Sequence, residues 1–195
     1  AAGSTIGMAI IVSVRLFYCV ELGDDVRAGI ARSARSLQAR IRAGTWVAPE
    51  NLHVTLRFLG EVGEDLVPPL EELGAEASSQ LTPFELRFDR FGAFPSPSRA
   101  RVLWAGPTVD SAPFAALAHR IEEGVQALGF PPERRPAHPH VTLARLRVPQ
   151  DLAPALAEAP PPDLQAWVDD LTLMASELRP EGSLYTPLAR WSLGG

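Results

Sequence analysis

A four-residue string, His53-Val-Thr-Leu56, recurs as His140-Val-Thr-Leu143, and the recurrence narrows what the chain can build. Each copy lies in a strand-like stretch that follows a helical one. Side chains alternate along a strand, so in each copy the histidine and threonine share one face while Val54, Leu56, Val141 and Leu143 take the other. Such a strand has its apolar face in a core, and its imidazole and hydroxyl face lines a space.

The flanking segments agree with this. Residues 10–20 read as a buried strand, and residues 24–43 as a helix with Val26, Ile30, Ala34, Leu37 and Ile41 on one stripe and Gly44 suited to its end. Strands are expected at 51–59, 83–90, 101–105, 140–146, 165–175 and 183–192, and helices at 64–79, from the Ser111 cap to Gly129, and near 151–158. Connections such as Phe94–Ser98 are too short to hold crossover helices. The pattern predicts a mixed α/β (α+β) fold with mixed or antiparallel sheets and helices packed outside.

Composition removes several classes. With 195 residues, 46% hydrophobic and 21% charged, the chain is neither disordered nor fibrous, and its length suits one domain. Cys19 is the single cysteine, which leaves no intrachain disulfide and no zinc set and points to a buried thiol in a reducing, cytoplasmic setting. The run Ile10–Val14 is too short for a secretory signal, and no stretch reaches the length of a membrane helix. Net charge is −5, yet Arg134, Arg135, Arg145 and Arg147 cluster against Glu133 alone in residues 131–147. An acidic chain with one basic strip suits a localized anion and not a coat on duplex DNA.

Two histidine-bearing strands facing each other suit in-line phosphoryl transfer. Imidazole titrates near neutrality, so one copy can act as base and the other as acid, while the threonine hydroxyls hold nonbridging phosphate oxygens. Metal binding competes as a reading of histidines, but no carboxylate beside either motif completes a set, Glu50 being the nearest acid. Strict alternation puts Arg145 opposite His140, which leaves phosphate clamp and surface charge both open. Arg57 shares parity with His53 and Thr55 and is expected toward the same space. His138 reads as a loop residue and His119 as solvated, while parity and context place Phe58 and Trp46 in the core, with a base-stacking surface as their alternative.

The motifs resemble those of the two-histidine phosphoesterases, in particular the LigT-like (ThpR) RNA 2′,3′-cyclic phosphodiesterases. The likeness extends through Arg15-Leu-Phe17, Trp46 to Val62, Phe91-Gly-Ala-Phe-Pro95, Arg101 to Gly106, Pro139 to Arg145 and Leu184 to Trp191. It implies a bilobal fold over residues 14–193, with two mostly antiparallel sheets lining a central cleft, and leaves residues 1–13 as an extension where such chains commonly start at the position of Val14. It implies hydrolysis of RNA-terminal or nucleoside 2′,3′-cyclic phosphate to the 2′-phosphate with no cofactor and no metal. His140 takes the role of general base and His53 that of general acid, with Thr55, Thr142 and Arg145 on the phosphate. Expected partners are RNA ends and small cyclic nucleotides, with no membrane and no duplex DNA, for a monomer in the cytoplasm. Two alternatives stand beside it: 2′-5′ ligation of tRNA halves by the same acid and base, and a non-catalytic module that binds RNA ends.

Overall fold

The computed structural model describes residues 13–195, so the expected extension falls almost wholly outside the described residues. Ten strands and five helices follow in the order β1 (Ser13–Glu21), α1 (Asp24–Ser33), α2 (Arg35–Arg40), β2 (Thr45–Trp46), β3 (His53–Gly63), α3 (Val67–Ser79), β4 (Phe84–Phe88), β5 (Arg90–Phe94), β6 (Ala100–Gly106), α4 (Ala112–Ala127), β7 (Val141–Gln150), α5 (Ala153–Glu158), β8 (Leu164–Val168), β9 (Asp170–Arg179) and β10 (Gly182–Ser192). Seven strands form one antiparallel path, β10-β9-β1-β3-β7-β6-β5, with β2 also on β7, and β4 pairs β8 in a separate ribbon.

The path has a narrow waist. β3 and β7 pair only at Val54 and Val141, so β10-β9-β1-β3 and β7-β6-β5 form two half-sheets joined between the motif copies. This is the mixed α/β arrangement of antiparallel sheets that the sequence implies. One face carries the main core, where α3 and α4 pack together, α3 on β9 and β10 and α4 on β3. Tyr18 joins the layers by donating its hydroxyl to the Leu70 carbonyl at 2.6 Å. On the other face a small cluster of Phe17, Cys19 and Met174, with Tyr185 against it, forms the floor beside the motifs. Cys19 is fully buried, and burial pushes its thiol well above the ordinary range.

Several boundaries differ from the sequence reading. The helix expected over 24–43 is two segments meeting at Ala34, whose N–H still reaches the Ile30 carbonyl, and it ends at Arg40. Gly44 is not its cap: a Cβ there would lie 2.7 Å from Leu146, so the glycine permits close approach to β7. Gly129, by contrast, has φ +94 just beyond α4, and Ser111 Oγ accepts from Phe114 N at 3.3 Å, as expected. The segment 165–175 divides between two sheets at Asp169, and β5 is an additional strand.

Candidate active site

The single bridge between Val54 and Val141 determines the site. Carried one residue either way, its antiparallel register sets His53 across from Thr142 and Thr55 across from His140, and all four side chains line a cleft of about 520 Å³. Each imidazole is held alike. His53 Nδ1 lies 2.7 Å from the Asn51 carbonyl, and His140 Nδ1 lies 2.7 Å from the His138 carbonyl. A carbonyl only accepts, so Nδ1 carries the proton and donates in both rings, which leaves each Nε2 to exchange a proton with a ligand.

Aromatic rings fix the imidazole planes. His53 meets Phe17 at 5.0 Å and Tyr185 edge-on at 5.2 Å. His140 meets Phe94 edge-on at 5.1 Å, with Trp104 at 6.2 Å. Gly92 makes the second arrangement possible, because a Cβ there would stand 2.2 Å from the Trp104 ring. Gly92→Ala is therefore expected to displace the indole from under His140, destabilising the protein by about 1–3 kcal/mol, the usual range for overpacking. Urea unfolding measures that loss, and kcat should fall more than KM rises.

Burial lowers the pKa of both histidines, and Arg145 lowers both further. Their surroundings otherwise differ. His53 sits across from Glu21, whose charge raises its pKa, while His140 feels the positive influence of His138 and His53. Glu21 itself stays ionised well below the ordinary carboxylate range, chiefly because Arg190 hydrogen-bonds it at 2.6 and 3.2 Å, with Thr172 Oγ1 donating at 3.0 Å.

Beyond the tetrapeptides, both motif strands are bulged at the same place. Pairing with β1 passes from Thr55 to Arg57 and skips Leu56, and pairing of β7 with β6 passes from Thr142 to Ala144 and skips Leu143. One extra residue reverses the alternation that follows it. Arg145 thus lines the cleft with His140 and Thr142, and Phe58, at the matching position of the first copy, also lines it, 43% exposed. Arg57 is turned away, which corrects its expected place: it is 9% exposed on the α4 side and ion-pairs with Glu122 at 2.7 Å and Glu133 at 3.5 Å.

Arg15, Phe17 and Tyr185 are lining residues that sequence reasoning missed, and Phe58 lies in the cleft, where its base-stacking alternative requires it, and not in the core that its parity favours. Its ring lies 6.4 Å from Phe17, and the Arg15 guanidinium stacks over it at 4.7 Å. Trp46 packs against the core as expected. The basic strip is divided: Arg145 enters the cleft, whereas Arg134 and Arg135 border a second hollow beside Arg57 and α4. The cleft lining holds Arg15 and Arg145 and no carboxylate, so its field suits an anion. No group of three or more histidine, cysteine or carboxylate side chains suited to a metal forms among the described residues. Among those residues no helix is long and apolar enough to cross a membrane.

A family model described as the 2′-5′ RNA ligase superfamily matches residues 25–179. The chain is 32% identical over 181 residues to an RNA 2′,3′-cyclic phosphodiesterase of Methanothermobacter thermautotrophicus, covering 91% of this chain and 97% of that one. It is 34% identical over 188 residues to an RNA 2′,3′-cyclic phosphodiesterase of Thermus thermophilus, covering 93% and 91%. A crystal structure of Escherichia coli LigT complexed with 3′-AMP is similar with TM-score 0.77 and 31% identity, over 94% of this chain and all of that one.

Proposed function

This chain belongs to the 2′-5′ RNA ligase superfamily, and we propose that it is an RNA 2′,3′-cyclic phosphodiesterase that opens the cyclic phosphate to a 2′-phosphate. The relatives that carry this name cover nearly the whole chain. The observation that carries the chemistry is the Val54–Val141 bridge, which gathers two Nε2-free imidazoles and two hydroxyls around one anion-attracting cleft.

In this reading His140 Nε2 takes a proton from water as the water oxygen attacks phosphorus in line with the P–O3′ bond. That bond breaks, and His53 Nε2–H gives its proton to O3′. Thr55, Thr142 and Arg145 hold the nonbridging oxygens, whose charge grows as phosphorus becomes five-coordinate. Glu21 supports the acid role of His53, because among the described residues it is the carboxylate that acts on that ring, and none acts on His140. No step requires a metal. RNA ends and small cyclic nucleotides are the substrates, and Phe58 offers the terminal base an aromatic face that accepts any nucleobase. The cleft is complete within one chain, which suits a monomer.

The test is a time course on an oligoribonucleotide with a 2′,3′-cyclic phosphate end, with and without EDTA, resolving 2′- from 3′-phosphate. The expected product is the 2′-phosphate at an unchanged rate in chelator; a 3′-phosphate, or loss of turnover in EDTA, would overturn the scheme. The superfamily's name favours one secondary reading, in which a 5′-hydroxyl takes the place of water, attacks the cyclic phosphate as the P–O3′ bond breaks and O3′ takes a proton, and leaves a 2′-5′ linkage. Absence of joined product with a 5′-hydroxyl acceptor removes it.

A further inference from the structure

Opening a cyclic phosphate employs one of the two cleft arginines, Arg145 on β7. The other, Arg15, stands on β1 in the His53 half. In register Arg15 lies across from Glu61 of β3, yet among the described residues it forms no ion pair. Glu61 accepts from Ser13 Oγ at 3.1 Å, and the Arg15 guanidinium turns instead over the Phe58 ring at 4.7 Å. Arg15 pairs with Ser176 of β9, and Ser176 with Tyr185 of β10, so a guanidinium and two hydroxyls stand in one row on the cleft face. The Tyr185 ring in turn meets His53 edge-on at 5.2 Å. Most of the lining belongs to this half, whereas beside His140 stand Val47, Thr142 and Arg145.

We propose that Arg15, with Ser176 beside it, binds the phosphate linkage on the 5′ side of the terminal nucleotide, so that the site favours the end of an RNA strand over a free cyclic nucleotide. The inference rests on the reading of the reaction given above, with His53 as acid. Both ester oxygens of a 2′,3′-cyclic phosphate belong to one ribose, so an O3′ leaving toward His53 puts that ribose in the His53 half, and water attacks from the side of His140. The nucleoside thus lies in the half that supplies most of the lining. Arg15 is two residues from Phe17, the ring that packs on His53, and so stands about 7 Å further along β1, a separation that one nucleotide bridges. The next phosphate of an RNA strand falls there, whereas a free cyclic nucleotide carries no charge at that end. A guanidinium with no carboxylate to give up, and a hydroxyl next to it, can both donate to that phosphate. Two cations in a cleft without carboxylates then match the two phosphates of an RNA end.

The experiment compares kcat/KM of wild type and Arg15→Gln on three substrates: a nucleoside 2′,3′-cyclic phosphate, a dinucleotide with the same end, and that dinucleotide with a neutral methylphosphonate linkage. Wild type should favour the charged dinucleotide over the other two by about 10-fold or more, as expected for one charge-assisted contact. In Arg15→Gln the three values should draw together, and Arg15→Lys, which keeps the charge and loses the fork, should retain part of the preference. A preference that survives the neutral linkage, or that is unchanged in Arg15→Gln, overturns the inference. Should Arg15→Gln fail to fold, the wild-type comparison of charged with neutral linkage decides alone. A wild type that opens all three substrates equally overturns the role of Arg15 and leaves the reaction standing, whereas one that opens none of them overturns the reaction reading instead.

Discussion

His53→Ala and His140→Ala should each lower kcat on an RNA 2′,3′-cyclic phosphate by about 10²- to 10⁴-fold, the span typical of one general acid or base. A substrate whose leaving group departs unaided then separates the two roles. On a p-nitrophenyl phosphodiester the acid has little to do, so His53→Ala should regain most of its loss, while His140→Ala, lacking the group that activates water, should not. The reverse pattern would exchange the two assignments. The pH profile carries a second consequence. Burial and Arg145 lower both imidazoles in the free protein, so the neutral base and protonated acid coexist best on the acid side of the ordinary histidine value of about 6.5. The kcat/KM profile should peak there. A bound anionic phosphodiester favours the imidazolium of His53, so the alkaline limb of kcat should lie at higher pH than that of kcat/KM. Coincident limbs would show that the bound phosphate does not reach His53.

The tetrapeptides were legible because alternation holds over their four residues: His53, Thr55, His140 and Thr142 reach one cleft as expected. Alternation then misled at Arg57 and Phe58, because a bulge is a feature of pairing between strands and leaves only a faint trace in one of them. The trace is readable in the second copy. Val141 and Leu143 are followed by Ala144 and Leu146, an apolar pattern that changes parity at the extra residue and turns Arg145 inward. In the first copy the position matching Ala144 is Arg57, a buried ion-paired arginine, so its charge concealed the same shift. The basic strip misled for another reason. Clustering along the chain does not fix which side of the sheet a loop crosses, and Arg134 and Arg135 stand on the α4 side, away from the cleft. The joint between β8 and β9 was missed because it falls at Asp169-Asp170 with neither glycine nor proline to mark the change of sheet.

Arg145→Leu should lower kcat by about 10²- to 10³-fold, as expected for removal of a preorganised charged donor from developing phosphate charge. The bulge at Leu143 places this side chain in the cleft beside His140 and Thr142, and it has no carboxylate partner among the described residues. An unpaired guanidinium in a cleft free of carboxylates is ready for a bidentate contact with two phosphate oxygens. Arg145→Lys keeps the charge and loses the fork, so it should recover only part of the rate. The same substitutions test the electrostatic role. Arg145 lowers the pKa of both histidines, so in Arg145→Leu both limbs of the kcat/KM profile should move to higher pH, while in Arg145→Lys they should stay near those of the wild type. A residue that merely held the strand in place would lower the rate without moving the limbs. A rise in KM alone, with kcat and both limbs unchanged, would assign Arg145 to the RNA chain beyond the cyclic phosphate and leave the two threonines to hold the phosphate oxygens.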